Sequence, residues 1–204
     1  EAERRSNVVV STDAGETRTL RGGADVPERT FDEHMVVERR DGSLWMLVRT
    51  RYGVGESFSY DKGFTWTPGR RSGIAGPDSR FHVRRLSSGR LLLVNHFGFQ
   101  GRSHLTAMLS EDDGATWPLR LLLDERSGVS YPDAVEAEDG RVFVIYDRDR
   151  HGAREILMAV GTEEDIMAGR GVSGAFRLRA LVNRAGGGGG RTGSCGPGAR
   201  AADA

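Results

Sequence analysis

The stretch SYDKGFTW at residues 59–66 occurs in nearly the same form at two other places in this chain of 204 residues. The other copies are STDAGETR at 11–18 and SEDDGATW at 110–117. Each copy has Ser, Asp two residues later, and then Gly and Thr at fixed places. A short Asp side chain accepts hydrogen bonds from nearby backbone N–H groups, and Gly permits a positive φ. The pattern therefore predicts a tight turn that the chain uses three times.

These turns are expected to belong to the scaffold and not to the chemistry. The Trp that ends the second and third copies supplies a large apolar face that can hold the hairpin on its neighbour. A calcium loop would need several more oxygen ligands at alternate positions, and the stretch does not offer them. The residues to which we assign this structural role are Asp13, Gly15, Asp61, Gly63, Trp66, Asp112, Gly114 and Trp117.

A second turn signal recurs with the same period. D-G or S-G pairs stand between apolar runs, which is a strong hairpin signal. The glycines of the two markers recur every 47 to 51 residues, at Gly15, Gly63 and Gly114 for the first and at Gly42, Gly89 and Gly140 for the second. Two markers with one period indicate a repeat of about 50 residues. Each repeat contains four short strands, as in the blades of β-propellers.

The sequence therefore predicts an all-β chain built as part of a β-propeller. We expect half a blade at 1–26 and blades at about 28–72, 75–122 and 128–182. Propellers close with four to eight blades, so three and a half would leave an open ring. The expected partners of this chain thus include N-terminal blades of the same propeller. The Gly-rich stretch 183–204 is expected to be a disordered tail.

Helical signals are confined to TEEDIMAG at 162–169, which takes the place of a further turn motif. Thr162 is suited to cap a short helix, and Asp165 stands at the capping-box position three residues later. Gly169 is suited to end it. The last repeat is therefore expected to depart from the others.

Composition excludes several classes of function. Lys plus Arg and Asp plus Glu number 29 each, so the net charge is zero. It therefore gives no indication of binding to nucleic acid or to an anionic membrane surface. The apolar runs are strand-sized, which argues against membrane insertion. No His/Cys cluster or dinucleotide fingerprint is present, so no metal or organic cofactor is expected. The single Cys195 favours the cytoplasm, but the start EAERRSN suggests a fragment, and secretion with an upstream signal stays open.

The repeated turn resembles the Asp-box, or bacterial neuraminidase (BNR) repeat. Residues 1–182 look like the C-terminal portion of the six-bladed β-propeller of the sialidase (neuraminidase) superfamily. Other propellers also carry Asp-boxes, so function must rest on other positions. The resemblance extends to Glu33 and Arg49 in FDEHMVVERRDGSLWMLVRT, to Arg102 in GRSHLTAMLSEDDG and to Tyr131 in GVSYPDAVEAEDG.

The resemblance implies an exo-glycoside hydrolase that removes a terminal sialic acid, or a related acidic sugar, with retention. Tyr131 would be the nucleophile and Glu33 its base, while Arg49 and Arg102 would hold the carboxylate of the sugar. Three further residues near these positions, Arg80, His34 and Asp133, are candidates for substrate contact.

The chain departs from the family pattern in two ways. His34 follows the Glu where the family usually has Pro, and the family's third Arg and its Asp general acid come from blades outside 1–182. The chain alone is therefore expected to be inactive. Two other functions stay open at this point: a lyase acting on uronic-acid polysaccharides, with Tyr131 or His34 abstracting a proton, and a non-catalytic propeller that binds glycans.

Overall fold

The computed structural model describes residues 5–186 and confirms the all-β prediction. Three four-stranded antiparallel sheets follow one another along the chain after a two-stranded sheet. Within the described part, no helix is long and apolar enough to span a membrane. Each four-stranded sheet has its strands in chain order, as expected for a blade whose neighbouring strands are joined by hairpins.

The strands divide among the sheets as follows. The two-stranded sheet contains β1 (Ser6–Val10) and β2 (Thr19–Ala24). The first blade contains β3 (Arg29–Glu38), β4 (Leu44–Thr50), β5 (Gly53–Ser59) and β6 (Arg70–Arg71). The second contains β7 (His82–Arg85), β8 (Leu91–His96), β9 (Leu105–Ser110) and β10 (Leu119–Asp124). The third contains β11 (Val129–Glu136), β12 (Val142–Arg148), β13 (Glu155–Gly161) and β14 (Arg177–Arg184), with helix α1 (Glu163–Ala168) before its last strand.

The end of the last blade differs from the sequence prediction. In the second blade, β7 begins at His82 after a stretch that contains Pro77 and forms bends. β14 continues to Arg184, so Asn183 and Arg184 are strand residues and do not belong to a disordered tail. Both pair with β13, and Arg184 Nη2 lies 2.5 Å from the carboxylate of Glu155. The rest of the predicted tail, beyond residue 186, lies outside the described residues.

Apolar side chains from neighbouring sheets form the core between the blades. One cluster joins the second and third blades and includes the fully buried Leu92, Val94 and Leu105. A second cluster, which includes Trp45 and Phe81, joins the first and second blades. A smaller one packs the two-stranded sheet on the first blade. Burial between sheets therefore holds consecutive blades together.

The Asp-box turns are closed by their own side chains. In the second copy, Asp61 accepts hydrogen bonds from the backbone N–H and the hydroxyl of Thr65, at 2.9 and 2.6 Å. Ser59 Oγ accepts from Gly63 N at 2.7 Å, and the turn runs through positive φ at Lys62 (60°) and Gly63 (92°). Equivalent bonds occur in the other two copies. The turn connects β5 to β6 at the end of the sheet where β3 and β4 also join, because Leu44 pairs with both Glu38 and Ser59.

One Asp-box glycine is also required for packing between blades. A Cβ at Gly114 would stand 2.3 Å from Cζ3 of Trp45 in the first blade. That distance is far below van der Waals contact, and the φ of 93° already disfavours other residues. Trp117 from the same turn packs on the cluster between the first and second blades. The repeated turn thus fastens a hairpin and leaves room for its neighbour.

The turn aspartates should make stability depend on acid pH. Hydrogen bonds from the Thr side chain and backbone lower the pKa of Asp13, Asp61 and Asp112 from 3.8 to about 2. A depressed folded-state pKa contributes stability above the unfolded value, and this contribution is lost as the pH falls from 3.8 through about 2. We expect melting temperatures of the wild type to drop over this window. A triple Asp→Asn variant should show a flatter dependence.

The matched control is Glu138→Gln, which removes an exposed carboxylate outside the three turns. Its melting temperature should follow the wild-type pH dependence. Parallel curves for the wild type and the triple variant between pH 4 and 2, measured by circular dichroism, would show that these carboxylates do not contribute.

The third blade closes its last turn with a helix in place of an Asp-box. Thr162 and Asp165 form the predicted capping box, and Gly169 ends α1 in the left-handed conformation, so the helix prediction is confirmed. Asp165 is fully buried and also accepts hydrogen bonds from the backbone N–H groups of Val172 and Ser173, at 2.7 and 2.8 Å. One carboxylate therefore organises this turn, as in the other blades.

Candidate functional site

Three equivalent positions of the blades meet in one cleft. Glu33, Arg80 and Tyr131 each stand five positions before the last residue of the first strand of their blade. The first strands of neighbouring blades contact one another, which brings these positions together. All three residues line a cleft of about 260 Å³, together with His34, Met35, Arg49 and Phe81. The cleft is therefore built from all three blades.

Tyr131, Glu33 and Arg49 form a closed set of hydrogen bonds. The Tyr131 hydroxyl donates to Glu33 Oε1 at 2.8 Å. Arg49 Nη1 donates to Glu33 Oε2 at 2.8 Å and to the Tyr131 hydroxyl at 3.1 Å. The structure thus joins residues that are up to 98 positions apart in sequence.

The backbone at Tyr131 is in an unusual conformation. Its φ is 55°, and the pairing of β11 with β12 is interrupted between Ser130 and Asp133. A bulge of this kind changes the direction of a side chain, and a left-handed non-Gly residue costs free energy that the surrounding structure must offset. Phe31 has the same φ, in the interrupted part of β3 that leads to Glu33. Both strands that carry the predicted catalytic pair are therefore irregular where they reach the cleft.

Arg49 is buried and heavily committed within the protein. Its side chain is 2% exposed, and Nε donates to Asp78 Oδ1 at 2.6 Å while Nη2 donates to the Asp78 carbonyl at 3.1 Å. With the two bonds from Nη1, four of the five N–H groups of the guanidinium are engaged. Burial acts to lower the pKa of Arg49, but the hydrogen bonds with Glu33, Asp78 and Tyr131 outweigh it and raise the pKa. A bidentate grip by Arg49 on a ligand would require one of these bonds to exchange.

Asp78 is a site residue that sequence reasoning missed. Its carbonyl accepts from both Arg49 and Arg102, the latter at 3.0 Å, and its carboxylate also accepts from the Thr30 hydroxyl at 2.6 Å. Burial acts to raise the pKa of Asp78, but the bonds from Thr30 and Arg49 and the charges of both arginines lower it. The signal that could have found it is its place in GPDSRF, in the link between two blades and two residues before Arg80.

The remaining candidates occupy different places. The Arg102 guanidinium lies 6.0 Å from the centre of the Tyr131 ring. His34 lines the cleft, with Nε2 2.9 Å from the Asn7 carbonyl. Asp133 does not belong to the cleft lining. Its carboxylate lies 3.5 Å from Arg80 Nη2 and 2.8 Å from His82 Nδ1, so among the candidates the structure brings it to Arg80.

The arrangement is suited to acid–base chemistry on an anionic ligand. A phenol that donates to a carboxylate can pass its proton there and become a nucleophile. Arginines beside that pair can hold a ligand carboxylate and stabilise negative charge. Among residues 5–186, no group of three or more His, Cys, Asp or Glu side chains is arranged to bind a metal ion.

Comparison with known proteins bears on the fold and the family. No curated protein matches the sequence. Among solved structures, a protein of unknown function from Dyadobacter fermentans is similar, with 27% identity and a TM-score of 0.56 over 70% of this chain and 41% of that one. A Hadza microbial sialidase is 26% identical, with a TM-score of 0.59 over 70% of this chain and 29% of its own. The intramolecular trans-sialidase of Ruminococcus gnavus shares the fold at 22% identity, with a TM-score of 0.64 over 79% of this chain and 38% of that one.

The chain thus spans less than half the length of each of these proteins. The model of the BNR repeat-like domain matches residues 1–144, which include the three Asp-box turns and Glu33, Arg49, Arg102 and Tyr131. The chain therefore belongs to the BNR repeat-like domain family, with the β-propeller blades of the sialidases.

Proposed function

We propose that the protein is a retaining exo-glycoside hydrolase that removes a terminal sialic acid or a related acidic sugar. The observation that carries the proposal is the hydrogen bond of 2.8 Å from the Tyr131 hydroxyl to Glu33, beside buried Arg49. A sugar with a carboxylate on its anomeric carbon repels an Asp or Glu nucleophile, whereas a Tyr is neutral until it reacts. Sialidases are the glycosidases that use such a Tyr.

The proposed reaction begins with proton transfer from Tyr131 to Glu33. The phenolic oxygen attacks the anomeric carbon, the glycosidic bond breaks, and the leaving oxygen takes a proton from a general acid. In sialidases an earlier blade supplies that acid, so we assign it to no residue of this chain. Water then attacks the anomeric carbon and gives its proton to the group that acted as general acid. The bond to the Tyr131 oxygen breaks, and Glu33 returns its proton to the phenol.

Arg102 and Arg49 would bind the carboxylate of the sugar in this scheme. Arg102 makes a hydrogen bond of 3.0 Å to the Asp78 carbonyl, which orients its guanidinium beside Tyr131. Arg49 would contribute through its remaining N–H or by exchanging a bond with Asp78. Since Asp78 contacts both arginines, it would set their separation.

We further propose that activity requires more blades than the three described. Three four-stranded sheets do not close a propeller, and a cleft at the first strands is complete only when the ring closes. We therefore expect this chain alone to be inactive toward an α-linked sialoside. A longer form of the protein that carries further blades should release the sugar.

The products identify the reaction class. Both forms would be incubated with an α-linked sialoside and with a uronic-acid polysaccharide, and the products followed by mass spectrometry and NMR. Release of free sialic acid first formed as the α-anomer supports the proposal, and an anhydro-sugar lighter by one water would indicate intramolecular transfer from the same Tyr intermediate. A product with a new double bond would show a lyase instead. Retention on a sialoside column without turnover would show a binding module.

A further inference from the structure

Arg150 stands over the face of the Tyr131 ring. It lies in the loop between β12 and β13, and its Cζ is 3.9 Å from the ring centre. Cations at this distance from an aromatic face are attracted by its negative potential. Arg150 was not a candidate from the sequence, because one arginine in a loop carries no signal of its own.

A short chain of polar groups holds Arg150 in this place. Its Nε donates to Asp147 Oδ2, and Asp147 Oδ1 accepts from the hydroxyl of Ser130 at 2.7 Å. Ser130 directly precedes Tyr131 and pairs with Asp147 across β11 and β12. The strand that carries the phenol therefore also fixes the cation above it.

Arg150 makes its closest described contact in the site with the ring of Tyr131, at 3.9 Å. It is not among the residues that line the cleft. Burial acts to lower the pKa of Arg150, but hydrogen bonding and charge from Asp147 and Tyr131 outweigh it and raise the pKa. A positive charge at this distance from the ring attracts negative charge that forms on the phenol. The other charged groups that face Tyr131 are Glu33, Arg49 and Arg102.

We propose that Arg150 is a positioning residue that stabilises the phenolate of Tyr131 when its proton passes to Glu33. In this step the O–H bond of Tyr131 breaks, Glu33 Oε1 gains the proton, and the phenolate forms on the ring whose face Arg150 covers. This inference rests on the proposed function for its catalytic meaning. Its electrostatic part can be tested without any turnover.

The test follows the ionisation of Tyr131 by NMR in this chain with labelled tyrosine Cζ. The chain has four tyrosines, and the signal absent from Tyr131→Phe identifies the one of interest. In Arg150→Met the ionisation midpoint of Tyr131 should move to higher pH by about half a unit or more. Arg150→Lys keeps the charge, so the ionisation midpoint of Tyr131 in this variant should stay close to that of the wild type. If Arg150→Met does not fold, Arg150→Gln takes its place.

A matched control exists in the same blade. Arg141 pairs with Asp139 at 2.7 Å and lies over Phe143 at 5.2 Å, so it makes the same kinds of contact away from the cleft. Arg141→Met should leave the midpoint of Tyr131 unchanged. An unchanged midpoint in Arg150→Met, or an equal shift in Arg141→Met, would overturn the inference whatever the enzyme turns over.

Kinetics in an active form separate this inference from the proposed function. Arg150→Met should lower kcat about 5- to 10-fold and leave KM within about twofold, since the lost contact is to the nucleophile. A rise in KM with unchanged kcat would mean that Arg150 binds the sugar, and would contradict the inference. Turnover that survives Tyr131→Phe would refute the proposed function while leaving the NMR result intact.

Discussion

Tyr131→Phe is expected to lower kcat/KM for an acidic glycoside by at least about a thousandfold in an active form of the protein. The change removes only the hydroxyl that donates to Glu33, so the nucleophile is lost. The ring remains for Arg150 to cover, and the bond of 2.8 Å between Arg49 and Glu33 also remains. The fold should therefore be unchanged, and steady-state kinetics would report the chemistry directly.

Tyr60→Phe is the matched control for this prediction. Tyr60 lies within the Asp-box stretch of the first blade, between Ser59 and Asp61, and 73% of its surface is exposed. The same loss of a hydroxyl there should leave kcat/KM within about twofold of the wild type. Comparable activity in both variants would remove Tyr131 from the mechanism, and the hydrogen bond to Glu33 would then be structural.

Asp165→Ala should lower the free energy of unfolding by about 2–4 kcal/mol. The carboxylate is fully buried and accepts from three backbone N–H groups, those of Thr162, Val172 and Ser173, at 2.7 to 2.8 Å. Ala would leave these donors without their acceptor, and it would remove the capping box of α1. Urea denaturation followed by circular dichroism measures the loss.

Two variants of the same helix bracket this result. Asp165→Asn keeps one acceptor oxygen but turns an amide N–H₂ toward backbone donors, so its loss should fall between the wild type and Ala. Glu164→Ala removes an exposed carboxylate from the adjacent position and should change stability by less than about 0.5 kcal/mol. Equal losses for Glu164→Ala and Asp165→Ala would assign the effect to helix charge and not to the buried acceptor.

Sequence patterns predicted the parts of this protein that short-range interactions build. The Asp-box is closed by bonds between residues two to four positions apart, and the helix by its own capping residues. Such contacts depend on residues close together in sequence, so the spacing of the turn glycines was sufficient to predict the repeated blades. The blade boundary near residue 75 stays a prediction, and the first strand of that blade, β7, begins at His82.

The resemblance to sialidases selected four residues, but it could not find their partners. Asp78 joins Arg49 and Arg102 from a link between blades, and Arg150 covers Tyr131 from a loop of the third blade. Asp133, which stands near Tyr131 in sequence, instead faces Arg80 and His82 of the second blade. Residues two apart in a regular strand share a face, but β11 is interrupted between Ser130 and Asp133, so nearness in sequence is a poor guide to a shared site.

By itself, the sequence determined that this chain forms repeated four-stranded sheets, because turn chemistry and strand alternation act over a few residues. Only the tertiary structure decided which side chains meet, since Tyr131 and Glu33 are 98 positions apart and touch through the packing of separate blades. It also showed that four of the five N–H groups of Arg49 are already bonded within the protein. The physical reason is that the packing of apolar side chains between blades fixes how far apart their first strands lie. That spacing decides which charged side chains surround Tyr131.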